Sequence, residues 1–558
     1  MAVAVERRRA RIPERLAREG RFRREVGFTG LMFVSLGSII GSGWLFGALN
    51  AAQQAGPAAL VSWGIGAAFV LLLALIHAEL GSAYPVSGAV GRFPHYSHGS
   101  IVGFMIGWLW WLGAVTVAPI EVEASLQYFT HYLPWLTSTS GGSTVLTPAG
   151  YGVAVALMAV FTIVNALGVA KLAKSNNVIM LWKIAIPVLT VIALLVVAHH
   201  GGNFSAGGGF APYGFHGIFS AISTGGVIFA YQGFEQAVQL GGESSNPHRN
   251  IPLAVIAAMI FGVVLYVALQ VAFLAALAPH DLAHGWAKLT FNGVAGPFAG
   301  LAGAVGLGWL AILLYVDAAV SPGGTGLLYT GTSARAAYAL GRNGYVSRLF
   351  AWLSDRGVPA VSVALSFVVG ILVFLPFPGW QKLVGFITAA AALAYAMAPL
   401  ALSALRRQDP DRTRPFRLPL AGVLAPAGFV VANLIVYWAG WNTDWRMLVA
   451  IGIGFVVFAA SRRGDRDRLP SLDLRSALWV PPYLGGLAVI SWLGRYDGGR
   501  NLIPFWWDVA VVAVFSVAIY ALAIALRLSA PEAQRYIGTL AAEEDEPLTR
   551  DVAVAEEH

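Results

Sequence analysis

A run of small residues, Gly37-Ser38-Ile39-Ile40-Gly41-Ser42-Gly43, interrupts an apolar segment of membrane-spanning length at 27–50. Glycine and serine at that density weaken a helix and leave backbone N–H and C=O groups without intrahelical partners. In hydrocarbon, such groups are tolerated only where protein or a water-filled cavity satisfies them. A second interrupted segment, 217–241, carries Ser223-Thr224-Gly225-Gly226 and then Phe229-Ala230-Tyr231-Gln232-Gly233. Two broken spans in one chain point to a binding site between two halves.

Composition supports a polytopic membrane protein: 57% of the 558 residues are hydrophobic and 11% are charged, against about 25% charged in soluble domains. Fourteen apolar segments reach spanning length, at 27–50, 57–83, 101–131, 148–168, 176–198, 217–241, 251–277, 296–325, 359–376, 381–405, 420–440, 446–461, 476–494 and 506–527, taking roughly 20 residues per span. The twelfth is short, and the eighth runs on toward Arg335. With a cytoplasmic N-terminus, about 30 of the 36 Lys and Arg fall inside, among them Arg92, Arg249, Arg342 and the clusters Arg406 to Arg417 and Arg462 to Arg475. Lys288, Lys382, Arg446, Arg495 and Arg500 fall outside. That bias sets orientation and accounts for a net charge of +8 without a nucleic-acid partner. The absence of cysteine excludes disulfides, thiolate metal sites and cysteine catalysis. Residues 1–26 carry nine arginines and no apolar signal-peptide core; they read as a cytoplasmic tail, either on anionic lipid headgroups or in solvent. The tail 528–558, with Glu543-Glu544-Asp545-Glu546, reads as acidic, disordered and cytoplasmic.

The interrupted spans are the first and the sixth. Five spans separate their starts, an odd number, so the second half inserts inverted relative to the first. The expected fold class is an all-α integral membrane protein with a 5+5 inverted repeat (27–198 and 217–405) and discontinuous helices 1 and 6. Four extra C-terminal helices at 406–527 lie outside that core. Breaking span 1 at Gly41-Ser42-Gly43 frees N–H groups at the start of its second half, a site for a carboxylate. The first half offers carbonyls near Ile39 and Ile40, suited to an ammonium, and a break at Ala230 to Gly233 adds more. An α-amino acid presents both charges a few ångströms apart. The competing reading is that these small residues only let helices pack closely.

These residues also carry a family resemblance. Gly37 to Gly47 (GSIIGSGWLFG) resembles the first span of the amino acid–polyamine–organocation (APC) superfamily. Glu79-Leu80-Gly81 with Tyr84-Pro85 and Ser87-Gly88 resembles the motif after its second span. Phe229 to Glu235 (FAYQGFE), followed by Glu243, Asn246-Pro247, Arg249 and Ile251-Pro252, resembles its sixth span and next loop. Ser333 to Gly344 and Asp409 to Pro419 resemble its later cytoplasmic loops. Fourteen spans and the GSGWLFG wording are most similar to the proton-coupled aspartate-type amino acid symporters. The resemblance implies a LeuT-like permease in which the Ser42 and Gly43 amides hold the substrate carboxylate. Carbonyls of Ile39, Phe229 and Gln232 would hold its amino group, the Phe229 ring would gate, and Glu235 would link site and cytoplasmic gate.

Ionisable residues within spans cost about 2.5–3.5 kcal/mol each near the midplane, so each needs a partner or a job. Lys183 in span 5 is the sole cation there. The resemblance puts it where sodium binds in related transporters, facing Asp317 in span 8. Burial and a nearby carboxylate act in opposite directions on a lysine's proton affinity, so such a pair can exchange a proton; the alternative is a permanent ion pair. Glu121 and Glu123, toward the outer end of span 3, cannot both face one way on a helix. One is expected to line a vestibule and take part in proton coupling, and Glu121 is the candidate. His77 and Glu79 read as structural, and Trp108, Trp110 and Trp111 as packing residues.

The expected function is secondary active transport of an amino acid, as a proton symporter in the inner membrane. Acidic substrates are implied by the subgroup resemblance, while intramembrane carboxylates outnumbering Lys183 pull toward a cationic amino acid or polyamine exchanger. A channel lacks a repeated filter segment. An enzyme lacks a nucleophile–base or metal-ligand motif at membrane depth. No cofactor or metal is expected. The partners are substrate, proton and bilayer, and the oligomeric state is open.

Overall fold

A computed structural model describes residues 25–140, 143–167, 172–289, 291, 295–354, 358–375, 379–462 and 471–545. The basic tail to residue 24, Lys171, Arg356, most of the Arg462 to Arg475 cluster and the tail from Glu546 lie outside the described residues. Eleven of the described helices are long and apolar enough to cross a membrane. Each of the fourteen expected segments contains helix. In chain order the helices used below are α1 (Phe28–Ile39), α2 (Gly43–Ala55), α3 (Ala59–Ala83), α4 (Ala89–His98), α5 (Ser100–Phe129), α6 (Pro148–Ala166), α7 (Leu172–Val197), α8 (Gly214–Ser223), α9 (Val227–Tyr231), α10 (Gln236–Gln239), α11 (Pro247–Ala276), α12 (Pro297–Ala304), α13 (Gly308–Arg342), α14 (Ala360–Val373) and α15 (Trp380–Gln408). Then come α16 (Ala421–Ala439), α17 (Trp441–Ser461), α18 (Leu474–Ala477), α19 (Val480–Leu493), α20 (Trp507–Ala525) and α21 (Ala530–Asp545).

Four features depart from the sequence reading. The eighth segment divides into α12 and α13, because Gly306 between them takes φ +81° and turns the chain out of the helix. Short α4 fills the loop between spans 2 and 3. A two-stranded hairpin, β1 (Thr137–Ser140) with β2 (Ser143–Leu146), caps the loop after α5. The acidic tail, expected to be disordered, carries α21 as far as Asp545.

Span 1 breaks between α1 and α2. The Ile40 N–H still closes a helical bond on Leu36 O, but Gly41 N–H turns to Ile39 O and leaves Gly37 O without its helical donor. Span 6 breaks twice, at Thr224–Gly226 and again at Gln232–Glu235, where Gly226 (φ +93°) and Gly233 (φ +122°) take conformations open mainly to glycine. The breaks interlock. A Cβ on Gly233 would lie 2.6 Å from Ser38 Cβ and 2.8 Å from Ile39 N, and one on Gly43 would lie 3.0 Å from Ala230 Cα. Around them, α3 packs on α11, while α5 packs on α13 and α15, burying one large apolar core and three smaller clusters.

Glu79, at the end of α3, is structural. Arg406 grips its carboxylate with two hydrogen bonds of 2.8 and 2.6 Å, and Leu418 N–H adds a third at 2.6 Å. This ties span 2 to the chain after span 10. Glu79→Ala leaves the Leu418 N–H without its acceptor and Arg406 with only the Leu418 carbonyl, at a cost of about 3 kcal/mol. The expected result is a large fall in melting temperature in detergent with substrate affinity kept in the folded fraction; an unchanged melt would reject this role.

Candidate functional site

The breaks meet in a small cavity lined by Ser38, Ile39, Gly41, Gly43, Val117, Glu121, Phe229, Gln232, Thr325 and Tyr329. Its walls come from α1, α2, α5, α9 and α13, elements distant in sequence that the interlocking glycines bring together. Phe229 closes one side with its ring edge-on to Trp380 (5.8 Å between centroids), and the Trp380 indole N–H donates to Ser42 Oγ at 2.9 Å.

The freed backbone groups are already engaged. Ser42 N–H donates to Glu121 Oε2 at 2.8 Å, so a carboxylate of this chain sits where the substrate carboxylate is expected. Helix geometry explains the reach. Glu121 lies level with the break, not at the outer end of its span, and Gly41 has no Cβ; one there would stand 2.6 Å from Glu121 Oε1. Glu123, two residues on, faces away. Both its oxygens are buried without a hydrogen bond among the described residues, on the side of α5 that packs against α6 and α14. Ile39 O, expected to hold an amino group, accepts instead from Tyr266 OH at 2.6 Å and from Gly41 N–H at 3.2 Å. The side chains of Phe229 and Ile39 still border the cavity, whereas Ile40 and Ala230 are buried behind it.

Lys183 is buried, and its ammonium donates to Gly37 O (2.6 Å) and Thr325 Oγ1 (2.8 Å) rather than to a carboxylate. Gly37 O is one of the carbonyls at the C-terminal end of α1 that lack an intrahelical partner, where the half-helix dipole favours a cation. Asp317 lies close enough to act on Lys183 electrostatically, as does Glu121. Asp317 Oδ1, however, accepts from Trp182 Nε1 (2.9 Å) and Ser321 Oγ (2.6 Å). The expected direct Lys183–Asp317 contact is therefore replaced by separate partners, Gly37 and Thr325 for Lys183 and Trp182 and Ser321 for Asp317. Glu235 is buried below the second break, and its Oε2 accepts from Gly233 N–H (3.0 Å) and Tyr395 OH (2.8 Å), holding the turn shut.

The sequence reading missed Ser38, Thr325, Tyr329, Tyr266 and Trp380. Asp317, Ser321 and Thr325 recur every four residues, one face of α13, and that spacing could have marked Thr325. Tyr266 and Trp380 carry no comparable local signal.

A model of the amino acid permease family matches residues 26–458. A glutamate/serine transporter of Bacillus subtilis (strain 168), AimA, is 40% identical over 506 residues, covering 90% of this chain and 93% of its own length. An aspartate-proton symporter of the same organism is 37% identical over 508 residues, 90% of this chain and 97% of its own. A branched-chain amino acid permease, BcaP, also of that organism, is 27% identical over 454 residues, 79% of this chain and 93% of its own.

Proposed function

The chain belongs to the amino acid permease family and is a multi-pass membrane transporter, not an enzyme, and from that premise we propose that it carries an amino acid together with a proton. The observation that carries this reading is the Glu121 carboxylate on the Ser42 N–H. It is a stand-in for the substrate carboxylate and marks the break as an anion site. When substrate enters, its carboxylate takes that N–H and the neighbouring Gly43 N–H of α2, and Glu121 gives it up. Two carboxylates do not share one donor in a dry site, so the exchange favours a proton on Glu121. Lys183 holds the end of α1 by its ammonium, and in this reading it relays the change in charge at Glu121. The Phe229 and Gln232 carbonyls take the amino group, the Phe229 ring covers it, and Glu235 releases the turn at Gly233 on the inner side.

The packing of span 2 on span 7 and of span 3 on span 8 agrees with two inverted five-helix repeats, 27–198 and 217–405, with 406–527 as accessory helices. The charge bias of the loops supports cytoplasmic termini in an inner membrane. An acidic or small polar substrate is supported by the names of two relatives, 40% and 37% identical. A cationic amino acid exchanger is the second reading. Glu121 on the cavity wall favours it, since a carboxylate can hold a substrate ammonium.

In proteoliposomes free of sodium, accumulation is expected to follow an imposed inward proton gradient and to collapse with a protonophore. A strict sodium requirement would reject proton coupling. A competition panel of common amino acids separates the readings: acidic or small polar residues compete in the first, lysine and arginine in the second.

A further inference from the structure

One polar group of the cavity has no hydrogen-bond partner among the described residues. Gln232 Nε2 is buried, on a residue 8% exposed, and the equally buried Ser38 hydroxyl has the Tyr329 hydroxyl for a neighbour. Both residues line the cavity. A buried donor left unpaired is costly, and native structures retain such groups mainly where a ligand or water completes them. Gly233 packs its bare Cα on Ser38 and Ile39, so the residue before it, Gln232, is carried into the cavity lining that Ser38 shares. The substrate carboxylate belongs with the amides of the span 1 break, and its amino group with backbone carbonyls. The Gln232 carboxamide is therefore left for the side chain.

We infer that the Gln232 carboxamide, with the Ser38 hydroxyl, is the specificity filter of the site, selecting amino acids whose side chain ends in an oxygen acceptor. The inference rests on the reading of the cavity as an amino acid site. Among the described lining residues none is basic, and the Lys183 ammonium is engaged by Gly37 and Thr325. Recognition is then by neutral donors, so charge on the side chain is not the criterion. A hydroxyl, carboxamide or carboxylate each satisfies the Gln232 N–H, and an aliphatic side chain of equal size leaves it orphaned. Sites built to hydrogen-bond a ligand reject the analogue lacking the group strongly, because the protein's own donor then stays unpaired.

The test uses the whole protein in proteoliposomes and substrate pairs that differ in side-chain oxygen: serine against alanine, aspartate against 2-aminobutyrate, glutamate against norvaline. Wild type is expected to prefer the oxygen-bearing member of each accepted pair by about tenfold or more. Gln232→Leu should bring that ratio to about one or invert it, mainly by gaining affinity for the aliphatic member. Gln232→Asn keeps the amide but withdraws it by one methylene, and should shift preference toward the longer oxygen-bearing side chains. If Gln232→Leu binds nothing, the Gln232→Asn shift decides. An unchanged ratio in Gln232→Leu, or an unchanged length preference in Gln232→Asn, overturns the inference. Failure of every amino acid to compete in wild type would instead remove the transport reading beneath it.

Discussion

Gly43→Leu should abolish substrate binding while the protein still inserts and purifies as a folded species. The residue opens α2 and lines the cavity, and a Cβ there would stand 3.0 Å from Ala230 Cα, 3.1 Å from Ala230 Cβ and 3.5 Å from Phe229 Cδ1. Backbone on the far side cannot retreat without moving the second break. The three carbons beyond Cβ then have only the cavity to enter. Overpacking of this kind costs about 1–3 kcal/mol in stability, which a large bundle absorbs, but the loss of space for a ligand is total. Equilibrium binding by ligand-induced thermal shift should fall below detection, a loss of more than about a hundredfold, or about 2.7 kcal/mol. Gly43→Ala, which adds the tight Cβ alone, should lie between. Wild-type affinity in the leucine variant would show that the break is a packing device and not the site.

Lys183→Ala is expected to lose proton-driven accumulation and to keep measurable substrate counterflow. Two hydrogen bonds from a charged donor vanish, one to Gly37 O and one to Thr325 Oγ1, each worth about 1.5–3 kcal/mol. The carboxylates of Glu121 and Asp317 lose a neighbouring cation and are left to become neutral, since an unpaired charge at that depth is not sustained. The proton that should arrive with substrate is then bound in every state, and the gradient has nothing to drive. The contacts predict where energetic coupling lies. A thermal-stability double-mutant cycle should give about 0.5–3 kcal/mol between Lys183→Ala and Thr325→Val, which touch, and less than about 0.5 kcal/mol between Lys183→Ala and Asp317→Asn if Asp317 acts only at a distance. The reverse order would restore a direct Lys183–Asp317 pair in the working protein. Undiminished proton-driven uptake by Lys183→Ala would remove Lys183 from coupling altogether.

The helix breaks, the apolar spans and the buried ionisable residues were legible in the chain alone because each is a local property. Glycine and serine weaken a helix wherever they stand, twenty apolar residues span a bilayer in any fold, and a lone lysine in such a run demands a partner. The 3.6-residue repeat also required that Glu121 and Glu123 face apart. That repeat did not itself give the reason why Glu121, the residue named from the sequence, turns inward and Glu123 does not. The choice depends on which face of α5 meets the break of span 1, and the side turned to α6 and α14 is an equally apolar surface. The same holds for the partners. Sequence spacing gives no distance between Glu121 and Ser42, Lys183 and Gly37, or Gly233 and Ser38, whose meeting is set by how the two breaks interlock. The chain by itself determined that backbone groups would be bared at membrane depth. Only the tertiary structure decided what satisfies them, because freed donors and acceptors are neutralised by whatever the packed bundle brings within about 3 Å, and here that is a carboxylate, a lysine and a tyrosine from three other helices.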